Sequence, residues 1–110
     1  MTDRRGTRSA TMRMFRHYLG IIEASPSDPL AGNPYLSLEN LAWMCREGMR
    51  EEDTLPIDKL SRWLGCVQGC LAMRGLIAFD AERDLSRPLF HAGYREDGIP
   101  VPGRHARPDR

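Results

Sequence analysis

The sequence predicts an all-α fold, a small bundle of three main helices and a short fourth helix, with irregular basic termini. Two observations favour this class. Apolar residues recur at helical spacing in three separate segments, as they do on the buried face of a helix. Stretches rich in proline and glycine separate these segments, and both residue types interrupt regular structure. The 110 residues are enough for one domain with its own core.

The first helix is predicted over about residues 9–24. Its apolar face consists of Met12, Phe15, Tyr18, Leu19 and Ile22, and its polar face carries Arg13, Arg16 and His17. The helix is expected to end before Ser25, because Pro26 disfavours helical angles in the residue that precedes it. Residues 25–34 contain three prolines and a glycine and form the clearest loop of the chain.

The second helix is predicted over about residues 38–52, with Ser37 as its N-cap. Its apolar stripe consists of Leu38, Leu41, Ala42, Cys45 and Met49. Trp43 falls about 140° away from this stripe on a helical projection, so we expect it to contact a different neighbour or to be partly exposed. The acidic residues 51–53 lie at the negative end of the helix dipole and predict fraying there.

The third helix is predicted over about residues 57–74 and has two distinct sides. One side is an apolar stripe, and Gly75 is placed to end the helix in a left-handed C-cap. The other side carries the small residues Ser61, Gly65, Gly69 and Ala72. Because two glycines inside a helix each cost up to about 1 kcal/mol, we expect a close contact at this side. Packing within the same chain is favoured over a dimer contact.

The remaining chain is predicted to contain little regular structure. Residues 76–79 are interpreted as extended chain, and Pro88 is expected to start a short fourth helix over residues 88–96. The predicted organisation is a flexible basic arm over 1–9, a helical domain over 10–97 and a flexible tail over 98–110.

Charge is distributed unevenly along the chain. Residues 1–17 hold five arginines and one aspartate, and residues 103–110 hold three arginines and one aspartate, although the net charge of the whole chain is +1. The section between these ends is therefore acidic. Basic ends on an acidic body indicate binding of an anionic partner, contact with the body itself, or simple solubility. No apolar run approaches the length of a bilayer, so no membrane is expected as a partner, and the protein is expected to be cytoplasmic.

The cysteines predict neither a metal site nor a disulfide framework. Structural zinc takes four ligands, and the chain has neither a paired-histidine motif nor a CxxC pair to supply them. We interpret Cys45, Cys66 and Cys70 as buried or half-buried thiols of a reducing compartment.

No catalytic group and no cofactor site is predicted either. His91 stands in a charged region, but no partner for general acid–base work is apparent from the sequence. The alternating carboxylates of Asp80, Glu82 and Asp84 lack the glycine and the distal glutamate of a calcium loop. The chain is therefore not expected to be an enzyme.

The predicted binding residues are arginines and one tryptophan. The basic arm and the polar face of the first helix supply Arg4, Arg5, Arg8, Arg13 and Arg16, which would steer an anionic partner. Nucleic acid would be attracted by the same arginines, yet no recognition helix stands out. Trp43 is the aromatic side chain best placed to be an exposed anchor.

The segments LPIDKLSRWLGCVQGCLAMRGLI and DAERDLSRPLFHAGY resemble small uncharacterised accessory proteins of tailed bacteriophages and prophages, over about residues 35–95. The resemblance implies a protein that acts in the cytoplasm of a bacterial host by binding, without an enzymatic activity of its own. The expected partner is a host protein or ribonucleoprotein complex, and anti-CRISPR proteins are one such class. The alternative is a small DNA-binding or regulatory protein, with a dimer formed through the third helix as one option.

Overall fold

Four α-helices make up the computed structural model, which describes residues 4–101 and 103. They are α1 (Arg5–Glu23), α2 (Leu38–Arg50), α3 (Ile57–Met73) and α4 (Phe79–Glu96). The described residues include no strand, which confirms the predicted all-α class. The fourth helix, however, has 18 residues and is as long as the others, so the predicted division into three main helices and a short one is wrong.

Helix α1 is the centre of the arrangement. It packs against α2, α3 and α4, whereas α4 packs mainly on α1 and α2 also contacts α3. The molecule is a slab of 42 × 41 × 19 Å, whose thickness is about two helix diameters. A slab of this shape has a thin core, and its completely buried large side chains are Tyr18, Phe15, Met14, Leu41, Leu60, Leu71 and Val67.

The predicted flexible arm over residues 1–9 is wrong for residues 5–9, which form the first turns of α1. Thr7 and Arg8 are buried there. The residue before the helix, Arg4, has a left-handed backbone conformation and offers no side-chain cap. Asp97, just beyond α4, supplies the cap instead, because its carboxylate accepts hydrogen bonds from the backbone N–H groups of Gly6 and Thr7 at 2.7 and 2.8 Å. Residues 1–3 of the predicted arm lie outside the described residues.

A very close contact between two helices joins Gly6 of α1 to Gly93 of α4. A Cβ atom on Gly6 would lie 2.4 Å from the Gly93 carbonyl oxygen, and a Cβ on Gly93 would lie 2.6 Å from the Gly6 carbonyl oxygen. Only glycine at both positions allows the two backbones to approach so closely.

The loop between α1 and α2 is held by a buried ion pair. Arg74, at the end of α3, has only 4% of its side chain exposed and donates from Nε to Asp28 Oδ1 at 2.9 Å. The other carboxylate oxygen of Asp28 accepts a hydrogen bond from the Leu38 N–H at 2.7 Å, and Arg74 also donates to the Leu36 carbonyl. The two residues therefore fix the loop to both α2 and α3.

The ends of α2 and α3 follow the sequence expectations closely. Ser37 Oγ accepts a hydrogen bond from the Asn40 N–H at 3.1 Å, as predicted for the N-cap of α2. Gly75 has a φ of 73° and lets the Leu76 N–H reach the Leu71 carbonyl at 3.0 Å, which is the predicted left-handed ending of α3. Extended chain was predicted over residues 76–79. Residues 76–78 form neither helix nor strand, but the chain bends at 76 and 77, and Phe79 already belongs to α4.

Helix α4 begins at Phe79, not at Pro88 as predicted. Asp80 and Glu82 occupy its first turn, where carboxylates meet the positive end of the helix dipole. Pro88 stands inside the helix and cannot donate to the Asp84 carbonyl four residues earlier. Pro88 and Asp84 are both exposed, so water reaches this carbonyl and the helix continues.

No helix among the described residues is long and apolar enough to cross a lipid bilayer. Of the predicted flexible tail, residues 102 and 104–110 lie outside the part of the chain that the structure describes. The predicted tail begins at Gly98, which has a φ of 73° and follows the last turn of α4.

Candidate interaction surfaces

Trp43 forms the wall of an open pocket between α2 and the loop that precedes it. The indole is 51% exposed. The pocket has a volume of about 500 Å³ and is lined by Ala31, Gly32, Asn33, Pro34, Ser37, Glu39, Asn40 and Trp43. We call it the Trp43 pocket. Its lining consists of one large aromatic side chain and of small or polar residues that carry amide, hydroxyl and carboxylate groups.

Hydrogen bonds within the loop hold this pocket in shape. The Asn33 side-chain oxygen accepts from the N–H groups of Tyr35 and Leu36, both at 2.9 Å. Asn40 of α2 donates from Nδ2 to the Tyr35 carbonyl at 2.7 Å. Because Asp28 and Arg74 fix the same loop from its other side, the pocket is preformed.

The Trp43 indole is supported from α3. Its ring centroid lies 5.8 Å from that of Trp63 at an interplanar angle of 42°, and the Lys59 ammonium lies 5.6 Å from the Trp63 centroid. The two alternatives predicted for Trp43, contact with a new neighbour and partial exposure, are thus both true. Tyr35, in the loop before α2, is 76% exposed.

The five predicted arginines do not form one cationic cluster. Arg8 is buried and donates from Nη1 to the carbonyl oxygens of Glu52 and Leu55 at 2.6 and 2.7 Å. It therefore holds the turn after α2 and does not face a partner. Arg5 is paired with Asp53 at 2.5 Å.

Arg13 and Arg16 differ from these two, since both are exposed on the outer side of α1 and neither has an ion-pair partner among the described residues. Arg4 is also exposed, and its charge helps to lower the pKa of Asp97. No described contact joins any of these arginines to Trp43. The predicted arginines and the predicted aromatic anchor are therefore on different elements and are not brought together.

The small-residue side of α3 packs against no part of the described chain. A Cβ atom on Gly65 or Gly69 would have no neighbour within 4 Å. Ser61 is exposed as well, and Ala72 is only partly covered. The preferred prediction was that these four residues pack against another segment of the same chain. Among the described residues, Gly65 and Gly69 have no such neighbour.

A close glycine contact is found at a different place, between Gly6 and Gly93. It was not predicted, because Gly6 was assigned to the arm. Gly93 follows Glu82 and Leu89 at helical spacing on the covered side of α4, which is the pattern that identifies it.

A partly buried polar network joins α1, α3 and α4. The Tyr18 hydroxyl accepts a hydrogen bond from Gln68 Nε2 of α3 at 2.9 Å. Burial raises the pKa of Tyr18 above its usual range, and the charge and hydrogen bond of Glu82 raise it further. His17 Nε2 lies 3.2 Å from Glu82 Oε1. Each of these groups has a partner, so we interpret the network as structural.

In the sequence, Glu82 stood out only as one of three alternating carboxylates that resemble calcium-loop ligands. Glu82, Ser86, Leu89, Phe90 and Gly93 have the spacing of one helix face, and this pattern would have placed the carboxylate among the covered residues.

The three cysteines have different surroundings. Cys45 is fully buried, and desolvation raises the pKa of its thiol to about 12. Cys70 is partly covered, but Cys66 is exposed, so the prediction of a buried or half-buried thiol is wrong for Cys66. Burial raises the pKa of Cys66, and the neighbouring Cys70 thiol raises it further. Within residues 4–101 and 103, no three His, Cys, Asp or Glu side chains are grouped so as to hold a metal ion. His91 contacts the Tyr94 ring, with centroids 6.2 Å apart.

A comparison of this chain with protein-family models, with curated proteins and with solved structures finds no match.

Proposed function

We propose that this chain is a non-enzymatic interaction protein that binds a macromolecular partner through the Trp43 pocket. One observation supports this more than any other: a half-exposed tryptophan forms the wall of an open pocket of about 500 Å³. Exposed tryptophans beside pockets are frequent binding hot spots, since they bury a large apolar area with few rotatable bonds. The loop is already held by hydrogen bonds, so binding would cost little ordering entropy.

The chemistry of the lining favours a protein segment as the ligand. Glu39 is exposed in the first turn of α2 and has no ion-pair partner among the described residues. A partner that places an apolar side chain on Trp43 and a hydrogen-bond donor or cation near Glu39 would match both groups. The Trp43 indole would also attract a cation directly.

Exposed arginines would contribute electrostatic steering, as the sequence predicted, but fewer than the five predicted arginines are available for this role. Arg13 and Arg16 are the residues that we retain for this role, together with Arg4. Rim charges of this kind raise the association rate more than the final affinity. Arg8 is excluded because its guanidinium is bound to backbone carbonyls inside the fold.

The identity of the partner is proposed from the resemblance to phage and prophage accessory proteins. That resemblance favours a host protein or ribonucleoprotein complex in the bacterial cytoplasm, and an anti-defence role such as that of anti-CRISPR proteins is its sharpest form. Trp43 and Glu39 give the pocket an apolar ring and a carboxylate, which a segment of such a partner would contact.

Affinity capture from a bacterial lysate tests the proposal when three versions of the chain are compared. The wild type and a Leu85→Ala control, which alters an exposed apolar residue on α4, should retain the same partner. Trp43→Ala should lose it while keeping the helical circular dichroism of the wild type. Equal retention by Trp43→Ala would exclude the Trp43 pocket as the binding site.

Nucleic-acid binding remains the second candidate, because Arg13 and Arg16 are exposed and unpaired among the described residues. Two phosphate contacts predict a slope of about −1.8 for the logarithm of the duplex affinity against the logarithm of the salt concentration. The double variant Arg13→Ala/Arg16→Ala should abolish that slope. An affinity for duplex DNA that does not change with salt would exclude this function.

A further inference from the structure

One long surface of the molecule carries almost no charge. Residues 63–79 include a single charged residue, Arg74, whose side chain is 4% exposed and bound to Asp28. A chain with 28% charged residues would on average place about five in such a stretch. This segment forms most of α3 and its connection to α4. Its exposed residues are Gly65, Cys66, Met73, Gly75, Leu76, Ala78 and Phe79, and Gly69 is partly exposed. We call this the uncharged face.

The shape of the uncharged face is set by three residues along α3. Residues 65, 69 and 73 are each four positions apart and so lie on successive turns of one side. Gly65 and Gly69 leave open space where a side chain would stand. Met73 is 90% exposed, so its unbranched side chain projects from the same side. Two hollows are therefore followed by one apolar projection.

This order is complementary to itself under a two-fold rotation. If two copies of α3 cross antiparallel at Gly69, Met73 of one copy lies over Gly65 of the partner subunit, because both are four residues from the crossing point. The same contact is then made a second time by the symmetry, as in every isologous dimer. We propose that a second copy of this chain docks on the uncharged face in this antiparallel arrangement.

The distribution of charge on and around the uncharged face is also compatible with a second copy of this chain. Bringing like charges together across an interface is costly. Two copies opposed at this face avoid that cost, because the centre of the face carries no charge. Asp58 and Arg62, paired with each other at 3.4 Å, lie at the N-terminal edge of the face. Leu76 and Phe79 extend the apolar area at the other edge. An apolar centre with a charged rim is the usual composition of a protein interface. Antiparallel helices also oppose their dipoles.

The dimer should be weak and depend on concentration. Contact along about three turns of one helix buries less than the roughly 1,600 Å² of a standard interface. Dimer formation is independent of the Trp43 pocket, which involves α2 and the preceding loop. Either proposal can therefore fail without the other.

Sedimentation equilibrium of the full chain over a range of concentrations, with a reducing agent to prevent adventitious disulfides at Cys66, tests the dimer. Gly69→Arg places a charged side chain at the crossing point, where the monomer has open space, so the fold should be kept. Gly20→Arg is the matched control, since Gly20 is an exposed helix glycine of α1 that also has nothing within 4 Å of its Cβ position.

The wild type and Gly20→Arg should dimerise alike, and Gly69→Arg should dimerise about tenfold more weakly or not at all. A wild type that stays monomeric at every concentration would overturn the proposal. So would a Gly69→Arg variant that dimerises as well as the wild type, because the interface would then lie elsewhere.

Disulfide crosslinking tests the antiparallel geometry. In a Cys66→Ser/Cys70→Ser background, an equimolar mixture of Gly65→Cys and Met73→Cys chains should form a crosslinked heterodimer with oxidised glutathione as the oxidant. Each variant alone should crosslink poorly, because positions 65 and 65 of the two copies would be about eight residues apart along the axis, beyond disulfide reach. Efficient crosslinking of each variant with itself would show a parallel pair and overturn the antiparallel dimer.

Discussion

Asp97 closes the molecule by binding Thr7, 90 residues earlier in the chain. Its Oδ2 atom accepts hydrogen bonds from the Thr7 N–H at 2.8 Å and from the Thr7 hydroxyl at 2.6 Å. A carboxylate from the end of α4 thus satisfies the free N–H groups at the start of α1, where the helix dipole is positive. The same two helices also approach each other closely at Gly6, whose N–H this carboxylate binds, and at Gly93, one turn before Asp97.

Removing this cap should destabilise the whole fold. We expect Asp97→Ala to lower the free energy of unfolding by about 1 kcal/mol, the usual cost of losing an N-cap carboxylate. Urea denaturation followed by circular dichroism measures the change. Asp84→Ala is the control, because Asp84 is an exposed aspartate of α4, and its effect should stay within about 0.5 kcal/mol. Equal losses in both variants would contradict the capping role.

Two aspartates predict how stability depends on pH. For both Asp97 and Asp28, desolvation is the largest single influence and acts to raise the pKa, but it is outweighed. Hydrogen bonds from Thr7 and Gly6 lower the pKa of Asp97, and those from Leu38, Leu30 and Arg74 lower that of Asp28. A carboxyl group whose pKa is lower in the folded than in the unfolded state stabilises the fold above its unfolded pKa, about 3.9 for aspartate.

The stabilisation by these two aspartates should therefore be complete near neutral pH and disappear as the pH falls from about 4 towards the lowered folded pKa values. Unfolding free energies measured between neutral and acidic pH should show this loss in the wild type. The Asp28→Asn/Asp97→Asn variant should be less stable at neutral pH and should lose less stability on acidification. Parallel curves for the two proteins would mean that neither pKa is lowered by folding.

Arg8 should matter for stability and Arg13 should not. We expect Arg8→Ala to lower the free energy of unfolding by about 2 kcal/mol or more, since it removes charge-assisted hydrogen bonds to two carbonyls and leaves them partly buried. Arg13→Ala, on the exposed side of α1, should change it by no more than about 0.5 kcal/mol. Thermal or urea unfolding of the two variants separates a structural arginine from a surface arginine. Similar values for both would contradict this assignment.

The helices α2 and α3 could be predicted from the sequence because their signals are local. Ser37 and Gly75 each act within one turn of the helix end that they form. The start of α1 and the first half of α4 could not be predicted in this way. The cap of α1 comes from Asp97, and Glu82 is covered only because α4 lies against Tyr18 and His17. The cap of α1 and the burial of Glu82 thus both depend on contacts between α1 and the C-terminal part of the chain.

The candidate surfaces were predictable to the extent that they follow helical spacing. Trp43 falls off the buried stripe of α2 and is indeed half exposed. Arg8 was counted with the basic arm, although it is four residues before Met12 and seven before Phe15, on the same covered stripe. The glycines of α3 are conspicuous in the sequence, but their spacing does not say whether the neighbour is the same chain. The structure shows open space there.

The same substitution should have opposite effects at two glycines. Gly93→Ala places a Cβ atom 2.6 Å from the Gly6 carbonyl oxygen, and α1 and α4 must then move apart, at a cost of about 1–3 kcal/mol. Gly20→Ala meets nothing within 4 Å and should stabilise α1 by up to about 1 kcal/mol, through the higher helix propensity of alanine. Chemical denaturation of both variants measures the difference. Stabilisation by Gly93→Ala would show that the helices do not cross at these glycines.

The thiols should react in an order that reports the fold. Cys66 is exposed and should react with a disulfide reagent such as dithionitrobenzoate in the native protein, more slowly than a free thiol because its pKa is raised by burial and by Cys70. Cys45 is fully buried with a pKa of about 12 and should react only after unfolding. Comparing Cys66→Ser with Cys45→Ser in native buffer and in urea assigns each phase. Fast native reaction that survives in Cys66→Ser/Cys70→Ser would mean that α2 does not cover Cys45 as described.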